Sequence, residues 1–411
     1  MRHNARVIGA LAALASMAAC SGGSEWSGTV RDSAGVQIIM NTGEGMWSEA
    51  ERWTLEEDLR IGTVEGEPEY QFGQILFTAL DSRDQIYVTD LQTQNIRVYS
   101  PEGEYLRTIG APGAGPGELG PGAAFVLIAP GDTILVPDLQ NRRINRYLAD
   151  GTVLESTPLA LERGLPAAFR VTSSGTIVMQ IRPLALPNMP APDTMDVIMV
   201  LEPSGEFGDT IRKFPSGRSL NLGGATPEIN IFAAEPLWDI TDDLSVLYGV
   251  NTEYRISRYG RDGSLERVIT MPHEPTPVSE SDKRVIMDFL ERQARDAGAP
   301  PEAIPQLRAM TKFGEFIPVF SAILTGPDNT IWVQHQRSLA DATEEELEQF
   351  NLIEEAGAPD WDVFDADGRY LGVVTMPPRF QPRSFDDGHI YGVWRDELDV
   401  QYVMRLRIVR D

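Results

Sequence analysis

The strongest constraint on this chain is that it resembles itself after a shift of 48 residues. Ile61-Gly62 falls on Ile109-Gly110, Asp90 on Asp138, "NIRVY" (95–99) on "RINRY" (143–147) and Gly103 on Gly151. The intervening "IGTVEGEPEYQFG" parallels "IGAPGAGPGELGPG". A fixed period in this range marks units that stack on copies of themselves. Looser copies follow at "SSGTIVMQI" with "VIMVLEPSGEF", at "DDLSVLYGVN" with "EYRISRYGRDGSLERVITM", at "GPDNTIWVQHQ" with "WDVFDADGRYLGVVTM", and at "DDGHIYGVW" with "VQYVMRLRIV".

One grammar runs through all of them. An apolar run ends in a polar turn, a β-branched or aromatic run follows, and a third run reaches "DG" or "SG" before a fourth. That dipeptide is a hairpin signal between strands of period two. Four such strands make a small antiparallel sheet that cannot bury both faces alone, so it must pack between neighbours. Six inner strands are expected near Phe77, Phe125, Phe169, Trp238, Phe320 and Phe380. The last copy has three strands, and "RWTLEEDLRIG" (52–62) is expected to supply its fourth, closing the ring. Radial closure leaves only short edges. The expected fold is all-β: a six-bladed β-propeller of four-stranded antiparallel blades, closed by the N-terminal region, over residues 28–411.

The two clearest copies, "IYVTDLQTQNIRVYSPEG" and "ILVPDLQNRRINRYLADG", resemble NHL repeats. The resemblance implies a propeller of the wider NHL- and TolB-like kind, and it speaks to fold rather than activity.

Three segments exceed the compact repeat: Arg182 to Asp196, Ser338 to Pro359, and a helical insertion at 272–318. In an up-and-down sheet the loops after strands two and four leave by one face, so all three are expected to decorate the same face. Ser279 with Asp282 reads as a capping box, and Val285, Ile286, Phe289, Leu290 and Ala294 form a stripe at helical spacing that Gly298 ends. That stripe fits packing on the propeller rim or a mobile lid. A second short helix is expected after Pro301, and an acidic one over Thr343–Phe350.

The N-terminus, "MRHNARVIGALAALASMAACSGGSEWSG", has Arg2 and Arg6 before 13 apolar residues, Val7 to Ala19. A spanning helix needs about 20 such residues. The stretch fits a signal peptide (1–19), and "SMAA" before Cys20 resembles a bacterial lipobox, with Met17 where leucine is usual. The resemblance implies lipid attachment at Cys20, a tether over 20–27, and anchoring on a bacterial membrane, the outer one favoured by Ser21, facing the periplasm or the cell exterior; a monomer is expected. Cys20 is the one cysteine, so an internal disulfide and a cysteine metal site are excluded. The formal net charge of −26 repels phosphate backbones and disfavours nucleic acid.

Local catalytic signatures such as G-x-S-x-G, HExxH or a phosphate loop are absent. Resemblance to lactonase-like propellers implies a metal near the axis. A three-histidine zinc site fails, because His273 and His335 approach the decorated face and His389 the other. An axial Ca²⁺ held by carboxylates, serving a hydrolase or lyase, is the alternative to a cofactor-free binding module for a protein, peptide or glycan. "DADGRYLG" begins like an EF-hand loop but meets Met376 at its last ligand position, which favours a hairpin turn. Candidate residues on the ligand face are Asp90, Asp138, His335, Arg337, Trp394 and Arg395. The first two also fit a structural role, holding loop N–H groups.

Overall fold

The computed structural model describes residues 25–159, 161–185, 195–215, 220–221, 228–337 and 357–410. The expected signal peptide, Cys20, most of the insertions within blades three and five, and the acidic helix expected at Thr343–Phe350 lie outside them. No helix among the described residues is long and apolar enough to cross a membrane.

The period-two runs fold as six blades. Blade one is Ile75–Leu80, Ile86–Asp90, Asn95–Tyr99 and Tyr105–Ile109; blade two is Leu127–Ala129, Thr133–Asp138, Arg143–Tyr147 and Val153–Pro158. Blade three is Leu165–Val171, Ile177–Arg182, Met195–Leu201 and Phe207–Pro215; blade four is Pro236–Ile240, Val246–Val250, Arg255–Tyr259 and Leu265–Thr270. Blade five is Phe320–Thr325, Ile331–Gln336, Gly357–Phe364 and Tyr370–Thr375. Blade six is Phe380–Phe385, His389–Arg395 and Gln401–Val409, completed by Thr54–Ile61. The N-terminal strand therefore closes the ring as expected, with Thr54 opposite Val409 and Ile61 opposite Val403. Phe125 lies just ahead of its inner strand rather than inside it.

The core is not one mass but a set of six layers, one between each pair of neighbouring blades. Period-two alternation is the reason, because successive side chains face opposite neighbours. In blade one, Ile86 and Val88 pack toward blade six, and Tyr87 between them packs toward blade two. At the turn before each outer strand, Gly103, Gly151, Gly205, Gly263 and Gly368 hold φ between +81° and +91°, a region costly for other residues. At Gly368 a Cβ would also stand 2.5 Å from Ile269 of the preceding blade. The "DG" and "SG" signals thus set both the turn and the spacing between blades.

The N-terminal segment does more than close blade six. Thr29–Ser33 and Val36–Met40 form a hairpin that lies against blade four, with Val36–Met40 parallel to Leu265–Thr270, giving that sheet six strands. Asn41 then ties blade four to blade five, donating to the carbonyls of Thr270 and Gly368 and accepting from Tyr370 N–H at 2.9 Å. Trp26 Nε1 donates to the same Asn41 side chain at 3.0 Å.

The excursions on one face are joined to each other. Leu184–Ala185 of the blade-three insertion pairs in parallel with Leu220–Asn221, and Ile229–Ile231 pairs with Thr311–Phe313. Helix α1 (Glu280–Asp296) carries the capping box at Ser279 and Asp282, and α2 (Ala303–Met310) follows. Ile286 of α1 packs on Ile231, with Val285, Leu290, Ile229, Phe232 and Phe313 around it. The helical stripe is spent on this small satellite core.

Candidate functional site

Strand two of each blade runs toward the face that carries the excursions. Asp90, Asp138, His335 with Arg337, and Trp394 with Arg395 sit at or just beyond the ends of that strand in blades one, two, five and six. They share a face, but their surroundings differ.

Asp90 and Asp138 are buried. Asp90 accepts from the N–H groups of Gly73, Gln74 and Gln92, with the Arg97 guanidinium 3.8 Å away. Arg97 itself donates to the carbonyls of Gln71 and Glu69. Asp138 accepts from Gly120 N–H, Asn141 N–H and the Asn141 amide, while Arg143 donates to the carbonyls of Ala114, Gly115 and Glu118. Both carboxylates therefore pin the loop that enters their own blade. The Gly-rich "GAPGAGPGELG" is one of these pinned connectors, with Glu118 accepting from Gly115 N–H at 2.7 Å.

His335 is partly exposed and binds Asp362 through Nε2 at 2.9 Å. Asp362 is buried and also accepts from the hydroxyls of Tyr254, at 2.6 Å, and Tyr370, at 2.8 Å. The Asp362 carboxylate holds the His335 imidazole above its ordinary value, against the opposing effect of burial. Burial pushes both tyrosine hydroxyls far up, so they stay donors. In blade six, Arg60 lies 4.2 Å over the Trp394 ring, and Tyr402 packs beside it at 5.5 Å. Arg395 N–H donates to the carbonyl of Arg379.

An axial cavity of about 1640 Å³ is lined by the inner strands of all six blades. Its rim on the opposite face is made by the turns between strands one and two. Those turns are linked side to side: Ser82 N–H and Oγ donate to Asp132, Ser173 N–H to Asp242, Asp242 N–H to the Asn329 side chain, and Arg410 to Asp328. Arg337 lines the cavity toward the decorated face. His389 reaches the rim between Asp386 and Asp58, across the ring from His335's face, as the strand direction requires.

Sequence reasoning missed Arg170 and Asp239, which line this cavity. Arg170 Nε of blade three meets Asp239 of blade four at 2.7 Å, and the other Asp239 oxygen takes Thr325 N–H of blade five. One ion pair thus stitches three inner strands. Burial pushes the Asp239 carboxyl up and Arg170 pulls it back. The available signal was a charge inside an apolar run, in "AAFRV" and "PLWDI".

Among the described residues, no three His, Cys, Asp or Glu side chains converge to hold a metal ion. The buried carboxylates of the cavity wall are already occupied, Asp239 by Arg170 and a backbone N–H, and Asp81 by Arg83, the N–H groups of Arg83 and Gln85 and the Tyr87 hydroxyl. The donor set does not fit the axial calcium that the lactonase-like resemblance implied. "DADGRYLG" is a hairpin turn, with Asp365 accepting from the N–H groups of Asp367 and Arg369.

Comparison with known proteins agrees with this architecture. The DUF5128 family, described as a 6-bladed beta-propeller, matches residues 69–169. That stretch holds blades one and two, where the repeat is clearest. No curated protein sequence matches the chain significantly. Among solved structures, a Bacteroides fragilis protein assigned as exported is similar at 11% identity and a TM-score of 0.49, covering 90% of this chain and 99% of its own. A DUF4221 member from Bacteroides vulgatus is similar at 13% identity and 0.43, covering 88% and 100%. A virginiamycin B lyase from Staphylococcus aureus follows at 10% and 0.40, covering 87% and 100%. At such identities these likenesses concern the fold alone.

Proposed function

We propose that this chain is a lipid-anchored, extracytoplasmic binding module, a monomer without catalytic chemistry of its own, that holds a protein, peptide or glycan on its decorated face. The observation that carries this reading is the asymmetry of the two faces. Among the described residues, one bears only tight turns, several of them linked to one another, and the other bears excursions joined by two parallel strand pairs and a helix with its own satellite core. A rigid ring that positions long loops on one side suits recognition. Half-buried side chains with polar ends, Trp394 and His335, stand on that side and suit a partner that is partly polar. The lipobox-like "SMAAC" supports anchoring at Cys20, with the bacterial outer membrane favoured.

The test has two arms. Metabolic fatty-acid labelling should mark the wild-type protein, and Cys20→Ala should lose the label and move to the soluble fraction. Equal labelling of both would sink the anchor. A partner cross-linked to the wild type on membranes should be lost on Arg337→Glu with Arg395→Glu and kept on Asp84→Asn with Asp387→Asn. The reverse pattern would move the binding face to the other side of the ring.

A further inference from the structure

We propose that the axial cavity admits, through its rim on the tight-turn face, a basic peptide segment lying extended along an inner-strand edge. This site is separate from the decorated face and goes beyond the reading above. Three observations lead to it.

The first is charge. Asp84, Asp132, Asp242, Asp328 and Asp387 line the cavity from the first turns of every blade except blade three, with Asp81 and Asp386 beside the first and last of them. Asp328 is paired with Arg410. The other four have no arginine or lysine within ion-pair distance among the described residues. The basic groups nearby have other partners: Arg83 is held by Asp81, Arg170 by Asp239, and His389 by Asp386 and Asp58, while Arg383 donates to Gln381. The carboxylates stand on different blades around the rim. They suit a ligand with several separated cations rather than a single ion, and a rim that is net negative focuses its field into the cavity.

The second is backbone. Each inner strand is the terminal strand of its sheet, so its outer row of N–H and C=O groups has no ladder partner and faces the axis. Three N–H groups of these strands are already taken, Thr325 by Asp239, Ile75 by Gln401 Oε1 and Phe380 by the Pro377 carbonyl. The remaining edge offers the pairing that an added peptide strand uses.

The third is a set of hydroxyls. Thr78 is 3% exposed, lines the cavity, and its Oγ1 has no hydrogen-bond partner. Thr325 Oγ1 and Ser384 Oγ, also in the lining, are buried and equally unpaired. Blades five, six and one, which are adjacent, thus present one unsatisfied hydroxyl each. These oxygens have almost no accessible surface, so a polar ligand supplies the missing partner only with a small outward shift of the inner strand, which the cost of an unpaired buried group favours. Ile128, Phe169 and Leu324 offer apolar wall for the stems of lysine or arginine.

The experiment is fluorescence anisotropy of a labelled peptide of alternating lysine and valine, with a glutamate–valine peptide as control and spermidine as competitor. The basic peptide should bind the purified protein and the acidic one should not. Asp84→Asn, Asp132→Asn, Asp242→Asn and Asp387→Asn combined should weaken binding about tenfold or more and flatten its salt dependence. Each replacement keeps shape and an acceptor oxygen, and a thermal melt checks the fold. The control variant removes as many acids from the outer turns of the same face: Glu102→Gln, Asp150→Asn, Asp262→Asn and Asp367→Asn. Equal weakening by both quadruple variants means diffuse surface attraction and overturns the proposal, as does an unbound wild type at low salt. Spermidine that binds as tightly as the peptide overturns the peptide assignment. Arg395→Glu, on the decorated face, should leave the peptide affinity unchanged, so this site and the decorated-face reading can fail separately.

Discussion

Asp138 in blade two and Asp362 in blade five are both buried carboxylates, yet their partners differ in kind. Asp138 is met by the N–H groups of Gly120 and Asn141 and by the Asn141 amide, all within 18 residues of it. Asp362 is met by two tyrosine hydroxyls and an imidazole, and Tyr254 comes from another blade, 108 residues away. Backbone donors do not titrate, and they arrive with the local repeat. Side-chain donors bridge blades, and one of them changes charge near neutral pH. The same problem, a charge withdrawn from water, is solved locally in the regular half of the ring and globally in the irregular half.

The largest effect should come from stripping the global solution. Tyr254→Phe with Tyr370→Phe leaves Asp362 buried with His335 alone, and urea denaturation should show a loss of about 3–5 kcal/mol. A loss below about 1 kcal/mol would mean that water reaches Asp362 and that the contrast with Asp138 is false. A smaller loss, about 2–3 kcal/mol, is expected for Asp138→Ala, because the freed N–H groups belong to a loop that can turn toward solvent. Its cost should be the same across neutral pH, since the groups left behind are amides. A pH-dependent cost would break the comparison.

The smallest effect is the pH term itself. The folded value of His335 is raised above 6.5 by Asp362. Its contribution is therefore complete below the unfolded value and disappears as pH rises through the folded one. His335→Gln keeps a neutral donor and removes the charge. The stability difference between wild type and His335→Gln should shrink as pH rises from below 6.5 through the raised folded value. A difference that grows over that range would place the imidazole's preference the other way.

Legibility follows the same division. The capping box at Ser279, the glycine turns and the pinned Asp90 and Asp138 could all be read because each depends on residues close in sequence. His335 and Trp394 could be placed on a face because strand direction alternates through a blade. Their partners could not, since Asp362 and Arg60 reach them from other strands. Arg170 and Asp239 stand 69 residues apart, and each alone looks like an ordinary charge beside an apolar run. The hairpin at 29–40 gave no sign of its destination, because an outer sheet edge accepts a strand by backbone pairing that is nearly blind to side chains.

The amino-acid order alone determined a ring of six like sheets with its front end closing the last one, because alternation and turn residues act within a few positions and recur in every copy, at a 48-residue period in the first two. Only the tertiary structure decided what lies at the axis and between the blades: the linked acidic rim, the Arg170–Asp239 stitch, the buried Asp362 cluster and the strap on blade four. Those depend on which surfaces meet once the ring is closed, and a charge acquires its meaning there from distance through space and removal from water.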